Sequence, residues 1–592
     1  MKNPVFAITL SLVLAALSYG QAANPTPTPS EGDVVKISTA LIQIDVTVTD
    51  KKGKIITDLR PDEIEVYENG KKQDVSHFSF ISNVRETSER PKADKGAPLP
   101  VLPPSAVKAE RVRRTIALVV DDLTLSFEST YFVRRALKKF VDEQMQDGDL
   151  VAIIRTGAGI GALQQFTTDR RQLYAAIENV KWNSIGAGGI GAFAPLQARM
   201  DAGDDEDEPQ AGERTPEGIE REFNDFRTSI FATGTLGAIN YVVRGMAELP
   251  GRKSVLLLSD GFRLFTRDAA GNIESTRMFE SLRRLVDQAN RASVVVYTMD
   301  ARGLEVTGLT AADDTSGWTP AQIQREMSNR SEQLRETQDG LRYLARQTGG
   351  ISIINNNDLV GGIRRILDDQ SYYLVGYEPD TDTFDPKTRR FNRLDVRVTR
   401  PGARVRYRSG FFGVSDEKFR KPVETGPQKL LNALTSPFAA NEIDLRLNAL
   451  FSSSPQGPFV RSFLHIPAKD LTFADGPNGS KKAVFDVMAF GFGNNGVIVD
   501  QISKTFTATL SKDLLAKALE NGLVYNFTFP MKKSGAVQLR VAVRDHGNDK
   551  VGSANQFVDV PNLKKKRLTL SGVVLENISY EAWQKRSKGV AD

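Results

Sequence analysis

Four apolar runs between residues 113 and 370 constrain the chain most: "TIALVV", "DLVAIIRTG", "KSVLLLSDG" and "ASVVVYTMD". None alternates polar with apolar residues, as expected of strands buried on both faces. Each is followed by residues with helical spacing, such as "YFVRRALKKFVDEQM", in which Phe132, Ala136, Phe140 and Val141 share one stripe. Strand–helix alternation of this kind brings the strands side by side in parallel, with helices on both sheet faces. The predicted fold class is therefore α/β: a doubly wound, mostly parallel sheet.

The flanks follow a different period. In "LIQIDVTVTD" residues Ile42, Ile44, Val46 and Val48 face one way and Gln43, Asp45 and Thr47 the other, which is a strand with one buried face. "EIEVYENGKKQDVSHFSF" reads as a hairpin around Asn69-Gly70, a pair suited to a type I′ turn. A β module over 34–83 is expected, then a charged, proline-rich linker at 84–112. Strand patterns return at 371–415 in "SYYLVGYEPD", "FNRLDVRVTR" and "ARVRYRSGFFG". These are candidates to pair with the N-terminal module, which would make the α/β unit an insertion in one β-sandwich. Short strands over 425–572 predict a second, C-terminal sandwich, and 573–592 reads as a tail. Within the α/β unit an insertion at about 183–218, rich in glycine and acid, predicts a mobile loop.

A length of 592 residues exceeds one core, so several domains are required. The net charge of +5 is small, and the basic run "KKKR" at 564–567 reads as a solvated turn between strand-like segments, not a nucleic-acid patch. Residues 1–23 carry Lys2, an apolar core too short to span a bilayer and small residues near a cleavage position, the pattern of an export signal. Nothing later is long and apolar enough to predict a transmembrane helix in the mature chain. Without cysteine there are no disulfides, thiol nucleophile or lipid-modified cysteine. The expected location is periplasmic or extracellular.

Chemistry concentrates where the buried runs end. "TIALVVDDLTLSFEST" closes a strand with two carboxylates and alternating hydroxyls, and "LLLSDGF" closes another with Asp260. In doubly wound sheets, ligands bind beyond the carboxyl ends of the strands. Asp122, Thr124, Ser126, Thr235 and Asp260 are all hard oxygen donors, the set preferred by Mg²⁺, with Mn²⁺ or Ca²⁺ as alternatives. Taken singly each has a plainer reading: Thr235 as the start of a helix, Asp260-Gly261 as a turn, Asp122 as a helix cap.

Taken together, Asp122-Leu-Thr124-Leu-Ser126, Thr235 and Asp260 resemble the metal-ion-dependent adhesion site of a von Willebrand factor type A domain. Thr124 stands where that pattern usually has serine. Choosing Asp121 as first ligand would put Leu123 and Leu125 where hydroxyls belong, so Asp122 is preferred. The wider layout, with "VTVTDKKGKIITDLRPDEIEVYENGKKQ" before the unit and "LARQTGG", "YYLVGYEPD" and "VRYRSGFFG" after it, resembles an acidobacterial family of exported von Willebrand factor A-related proteins. What the resemblance implies is adhesion: a protein partner offers an Asp or Glu carboxylate to the open position of a bound Mg²⁺. The alternatives are a purely structural ion in an envelope scaffold and a Mg²⁺-dependent hydrolase. The three histidines, His77, His465 and His546, fall in separate β-like segments, and no general base accompanies the carboxylates. "DDEDE" (204–208) and "DTDTFD" (380–385) lack the glycine and closing glutamate of a calcium loop.

Overall fold

The computed structural model describes residues 41–82, 112–158, 166–183, 195–198, 216–267 except 248, 250 and 251, 273–274, 276–380, 383, 391–412, 424–565 except 437–438, 456, 494–497 and 532–533, and also 568 and 584. The predicted export signal at 1–23 lies outside these residues, as do nearly all of the linker at 84–112, most of the insertion at 183–218 and almost all of the tail at 573–592.

Strands β1 (Ile42–Thr49), β2 (Ile64–Glu68), β3 (Lys71–Gln73) and β4 (Val75–Ile81) come first. The central unit runs β5 (Arg114–Val120), α1 (Phe127–Lys139), β6 (Asp149–Arg155), α2 (Arg170–Glu178), α3 (Pro216–Met246) and β7 (Arg252–Ser259). A hairpin, β8 (Thr266–Arg267) and β9 (Ile273–Glu274), precedes α4 (Thr276–Arg291), β10 (Val294–Asp300), α5 (Pro320–Gln347), β11 (Ser352–Ile353) and α6 (Leu359–Asp368). Strands β12 (Tyr372–Tyr377), β13 (Phe391–Val398), β14 (Arg404–Arg406) and β15 (Gly410–Phe412) follow.

The central sheet has the order β11-β10-β7-β5-β6, and every pairing in it is parallel. Both faces are covered. Ala117 and Val119 of β5 pack with Leu236, Ile239 and Val243 of α3, while Ile116, Leu118 and Val120 pack with Val133 and Leu137 of α1. Counted within this unit the order is 2-1-3-4-5 read from β6, so the chain reverses direction across the sheet between β5 and β7. That is the switch point at which doubly wound sheets open a crevice.

The strands at 371–412 interleave with those at 42–81. One sheet runs β14-β1-β12-β4 and the other β15-β13-β2-β3, all antiparallel. Ile44 opposes Val375 and Val66 opposes Val396, and these residues share one core with Val46, Val48, Tyr373 and Tyr377. The turn between β2 and β3 places Asn69 at φ 50° and Gly70 at φ 87°, the two positive values that a type I′ turn demands. The polar face of β1 is not simply solvated: Thr47 is buried, and Asp45 faces Arg252, Arg408 and Lys253.

After α7 (Gly426–Thr435) come β16 (Arg446–Ser454), β17 (Gly457–Ile466), β18 (Ala474–Asp475), β19 (Lys481–Phe492), β20 (Ile498–Leu510), α8 (Lys512–Asn521), β21 (Leu523–Pro530), β22 (Gly535–Asp545) and β23 (Val551–Val560). Sheet β16-β17-β21 shares a core with the sheet of β18, β19, β20, β22 and β23 through Leu447, Leu464, Val487, Phe529 and Val541. Among the described residues no helix is long and apolar enough to cross a membrane.

Interleaving makes a direct prediction. Deleting residues 42–81 removes both neighbours of β12 and one of β13, so limited proteolysis should cut 371–412 rapidly. A stable, protected 371–412 in that deletion would contradict the pairing. Ile44→Ala, at a fully buried position, should lower unfolding free energy by about 2–5 kcal/mol in denaturant titrations.

Candidate metal centre

β5 is wholly buried, and its apolar run ends where two acids begin. Asp121 still follows the sheet, donating its N–H to the Leu258 carbonyl at 2.9 Å. Four hydroxyls from four elements then converge on its side chain. Thr235 Oγ1 and Thr156 Oγ1 donate to Oδ1 at 2.6 and 2.9 Å. Thr124 Oγ1 and Ser259 Oγ each donate to Oδ2 at 2.7 Å. Asp121, Thr235 and Ser259 have no exposed surface.

The hydroxyls gather on Asp121, the neighbour of Asp122, which the sequence pattern favours as first ligand. Asp122 lies in the turn that follows β5, where its N–H donates to the Val120 carbonyl at 3.0 Å, so its carboxylate meets a different set of partners while still sharing the Thr156 hydroxyl with Asp121. Asp122 Oδ2 pairs instead with Arg155 Nε at 3.0 Å, and its Oδ1 accepts from the Gly157 N–H at 2.7 Å and from Thr156 Oγ1 at 3.2 Å. Thr124 and Thr235 are brought together, but around Asp121.

Ser126 and Asp260 form a second group. The Ser126 N–H donates to Asp260 Oδ2 at 2.7 Å, and the Ser126 hydroxyl caps α1 by accepting from the Ser129 N–H at 3.1 Å. The other oxygen, Asp260 Oδ1, is buried with no hydrogen-bond partner among the described residues. The groups are linked by the chain, since Ser259 serves one and Asp260 the other, and Thr124 Oγ1 also lies 3.1 Å from Ser259 Oγ. The turn after Asp260 needs glycine: Gly261 has φ +89°, and a Cβ there would stand 2.6 Å from the Thr337 carbonyl oxygen.

Thr235 does not start a helix. α3 begins at Pro216, and Thr235 projects from well inside it. No proline interrupts 217–235, so nothing in that stretch stops the helix from extending back into the expected insertion. Part of the insertion is also anchored: the Leu196 N–H donates to Asp313 Oδ1 at 2.8 Å, and Trp318 Nε1 to the Gln197 carbonyl at 2.8 Å. Of the acidic runs, 204–208 lies outside the described residues, and in the other Asp380 pairs with Lys71 at 2.9 Å.

Sequence reasoning missed Thr156, Ser259 and the role of Asp121. The available signal was positional: "IIRTG", "LVVDD" and "LLLSD" each put a polar side chain at the carboxyl end of one of three adjacent strands. All three histidines lie outside 113–370, and His546 is engaged with Asp486 at 2.9 Å.

The electrostatics leave negative charge undercompensated. Burial pushes the Asp121 carboxyl upward against the pull of its four hydroxyl donors. Burial likewise pushes Asp260 up to about 7, opposed by the nearby Arg302 guanidinium, the Ser126 N–H and the Ser129 hydroxyl. Two buried carboxylates, one with an unpartnered oxygen, suit a hard cation. A hydroxyl that spends its proton on Asp121 keeps lone pairs for such an ion. Among the described residues no three Asp, Glu or His side chains gather as a metal cluster, so the hydroxyls would have to complete any shell. Asp121 gathers Thr124, Thr235 and Ser259, Asp260 gathers Ser126, and Asp122 pairs with Arg155.

A scan against protein-family models finds no match to this chain, and a search of curated proteins finds none.

The raised Asp260 pKa sets a pH dependence in chelator. The folded chain retains a proton that the unfolded chain releases between pH 3.8 and about 7. The contribution of Asp260 to stability is therefore best at the acid end of that window and falls as pH rises through it, by roughly 4 kcal/mol. Denaturant titrations in EDTA at pH 5 and pH 8 should show this slope in the wild type relative to Asp260→Asn. Parallel curves for the two proteins would refute it.

Proposed function

We propose that this chain is an exported adhesion protein. On this reading the central unit, which resembles a von Willebrand factor type A domain, holds Mg²⁺ at the β5/β7 switch point and captures an acidic side chain of a protein partner. The observation that carries the reading is the hydroxyl cluster on Asp121 beside the unpartnered, buried Asp260 Oδ1. When bound, the cation supplies Lewis acidity toward an incoming carboxylate. The protein's own groups position and shield: Ser126 fixes both Asp260 and the start of α1, and Arg155 neutralises Asp122, so the second acid adds no free charge at the mouth.

The surroundings support a protein partner. Phe127, Tyr131 and Phe132 on the first turns of α1 are each at least half exposed, as are Leu304 and Val306 in the loop after β10. Glu305 in that loop is raised by burial and feels the Glu128 carboxylate, which brings the loop beside α1. Apolar side chains around a charged centre are the usual make-up of a protein-docking patch. The preferred ligand is therefore a surface Asp or Glu flanked by apolar residues.

One feature favours the rival, a purely structural ion: Asp121 is completely buried, and each of its oxygens accepts two hydrogen bonds. Pull-down from a native envelope fraction separates the two. Adhesion predicts capture of a partner in Mg²⁺, loss in EDTA, and loss in Asp260→Ala or Thr235→Val while circular dichroism is unchanged. Capture that survives EDTA while the melting temperature drops would leave only the structural ion. Phosphoester or peptide turnover that vanishes in Asp260→Ala would move the protein to the hydrolases.

A further inference from the structure

The amino-terminal end of the parallel sheet, where β7 and β10 begin, meets the sandwich across a polar cavity of about 30 Å³. Gln43 and Asp45 of β1 and Arg408 line it from the sandwich side, and Arg252, Asn290 and Thr348 from the α/β side. Arg252 is 3% exposed. Its guanidinium lies 4.5 Å over the Tyr372 ring, and one nitrogen, Nη2, donates to the Tyr297 hydroxyl at 3.3 Å. Its Nε and Nη1 are buried with no hydrogen-bond partner among the described residues. Arg408 donates Nη1 to the Asn290 carbonyl at 2.7 Å and Nη2 to the Gln43 carbonyl at 2.8 Å, leaving Nε buried and also without a partner among the described residues.

Two residues that line this small space, Arg252 and Arg408, thus carry buried guanidinium N–H groups that no described residue satisfies. The surroundings are rich in positive charge as well: burial pushes the Asp45 carboxyl upward against Arg252, Arg408 and Lys253, and Arg252 also feels Asp369. Arg406 does not add to the surplus, because it is paired with Asp369. Buried donors on charged groups are costly when left unmet. A water molecule offers two lone pairs and no charge, whereas an anion accepts several donors at once and offsets the surplus. A space of about 30 Å³ has room for a small ion but not for a bulky organic anion.

We propose that this cavity binds a small inorganic monoanion, of the charge and size class of chloride, between the Arg252 and Arg408 guanidinium groups. The anion ties β1 and the segment before β15 to the start of β7, so it acts as a rivet between the sandwich and the unit inserted into it. Asp45 limits the site to a single negative charge. This site is at the end of the sheet opposite Asp121 and does not depend on the adhesion reading.

The test uses the purified full chain at constant ionic strength, with chloride replaced stepwise by gluconate, which is too large for the cavity. Chloride and bromide should raise the melting temperature saturably, and a bromide-soaked crystal should show an anomalous peak within hydrogen-bond reach of both guanidinium groups. Arg408→Gln should weaken the apparent halide affinity by about tenfold or more. Asp45→Asn should strengthen it, a direction that a simple loss of packing does not produce. The proposal is overturned by a melting temperature that ignores which anion is present, by bromide density absent from the cavity, or by a folded Asp45→Asn that binds halide no more tightly. If Arg408→Gln does not fold, the bromide map and Asp45→Asn decide.

Discussion

The carboxylate of Asp121 is the point on which the central unit is organised. It stands at the end of β5, the strand beside which the sheet reverses its winding, and it receives hydroxyls from the loop before α1, the turn after β6, the body of α3 and the end of β7. A buried carboxylate costs several kcal/mol unless it is hydrogen-bonded or neutralised. Satisfying this one therefore requires four segments to meet at fixed separations. The meeting draws Thr124, Thr235 and Asp260 to the mouth of the crevice, so the same constraint that closes the sheet end also assembles the donor set.

The two ends of the sheet do different work. At the carboxyl end the undercompensated charge is negative, with Asp121 and the free oxygen of Asp260. At the amino end it is positive, with Arg252, Lys253 and Arg408 around Asp45. Exposed aromatic and aliphatic side chains lie near the first, and the second lies between the sheet and the sandwich. Opposite excesses are the basis of both proposals, a cation at the mouth and an anion at the joint. Both ends of an inserted unit would then be stiffened without disulfides, which a chain with no cysteine cannot form.

The insertion topology explains why the joint is needed. β1 and β12 are more than 300 residues apart in sequence yet pair residue by residue, Ile42 with Tyr377 and Val46 with Tyr373. Closing so long a loop is entropically unfavourable, although the cost grows only slowly with length. The unit that fills the loop is itself folded, which presents the two halves of the sandwich to each other from neighbouring points. Asn290 supports this arrangement directly, because its carbonyl accepts from Arg408 at 2.7 Å.

Periodicity alone determined the classes of structure. Short uninterrupted apolar runs rich in β-branched residues read as strands buried on both faces, and the parallel β5, β6, β7 and β10 fall where those runs are. Strict alternation marked Ile42, Ile44, Val46 and Val48 as one buried face, and Asn69-Gly70 marked the hairpin, because local sterics and side-chain spacing act within a few residues. Tertiary structure alone decided which acid takes the centre, that Thr235 lies inside a helix, that Thr156 and Ser259 join the cluster, and that Asp45 meets Arg252 across the joint. Hydrogen-bond partners and charge neighbours are chosen by distance in space. Asp121 and Asp122 are chemically identical in sequence, and only the pairing of Asp121 with Leu258 and the turn that begins at Asp122 send one to four hydroxyls and the other to Arg155.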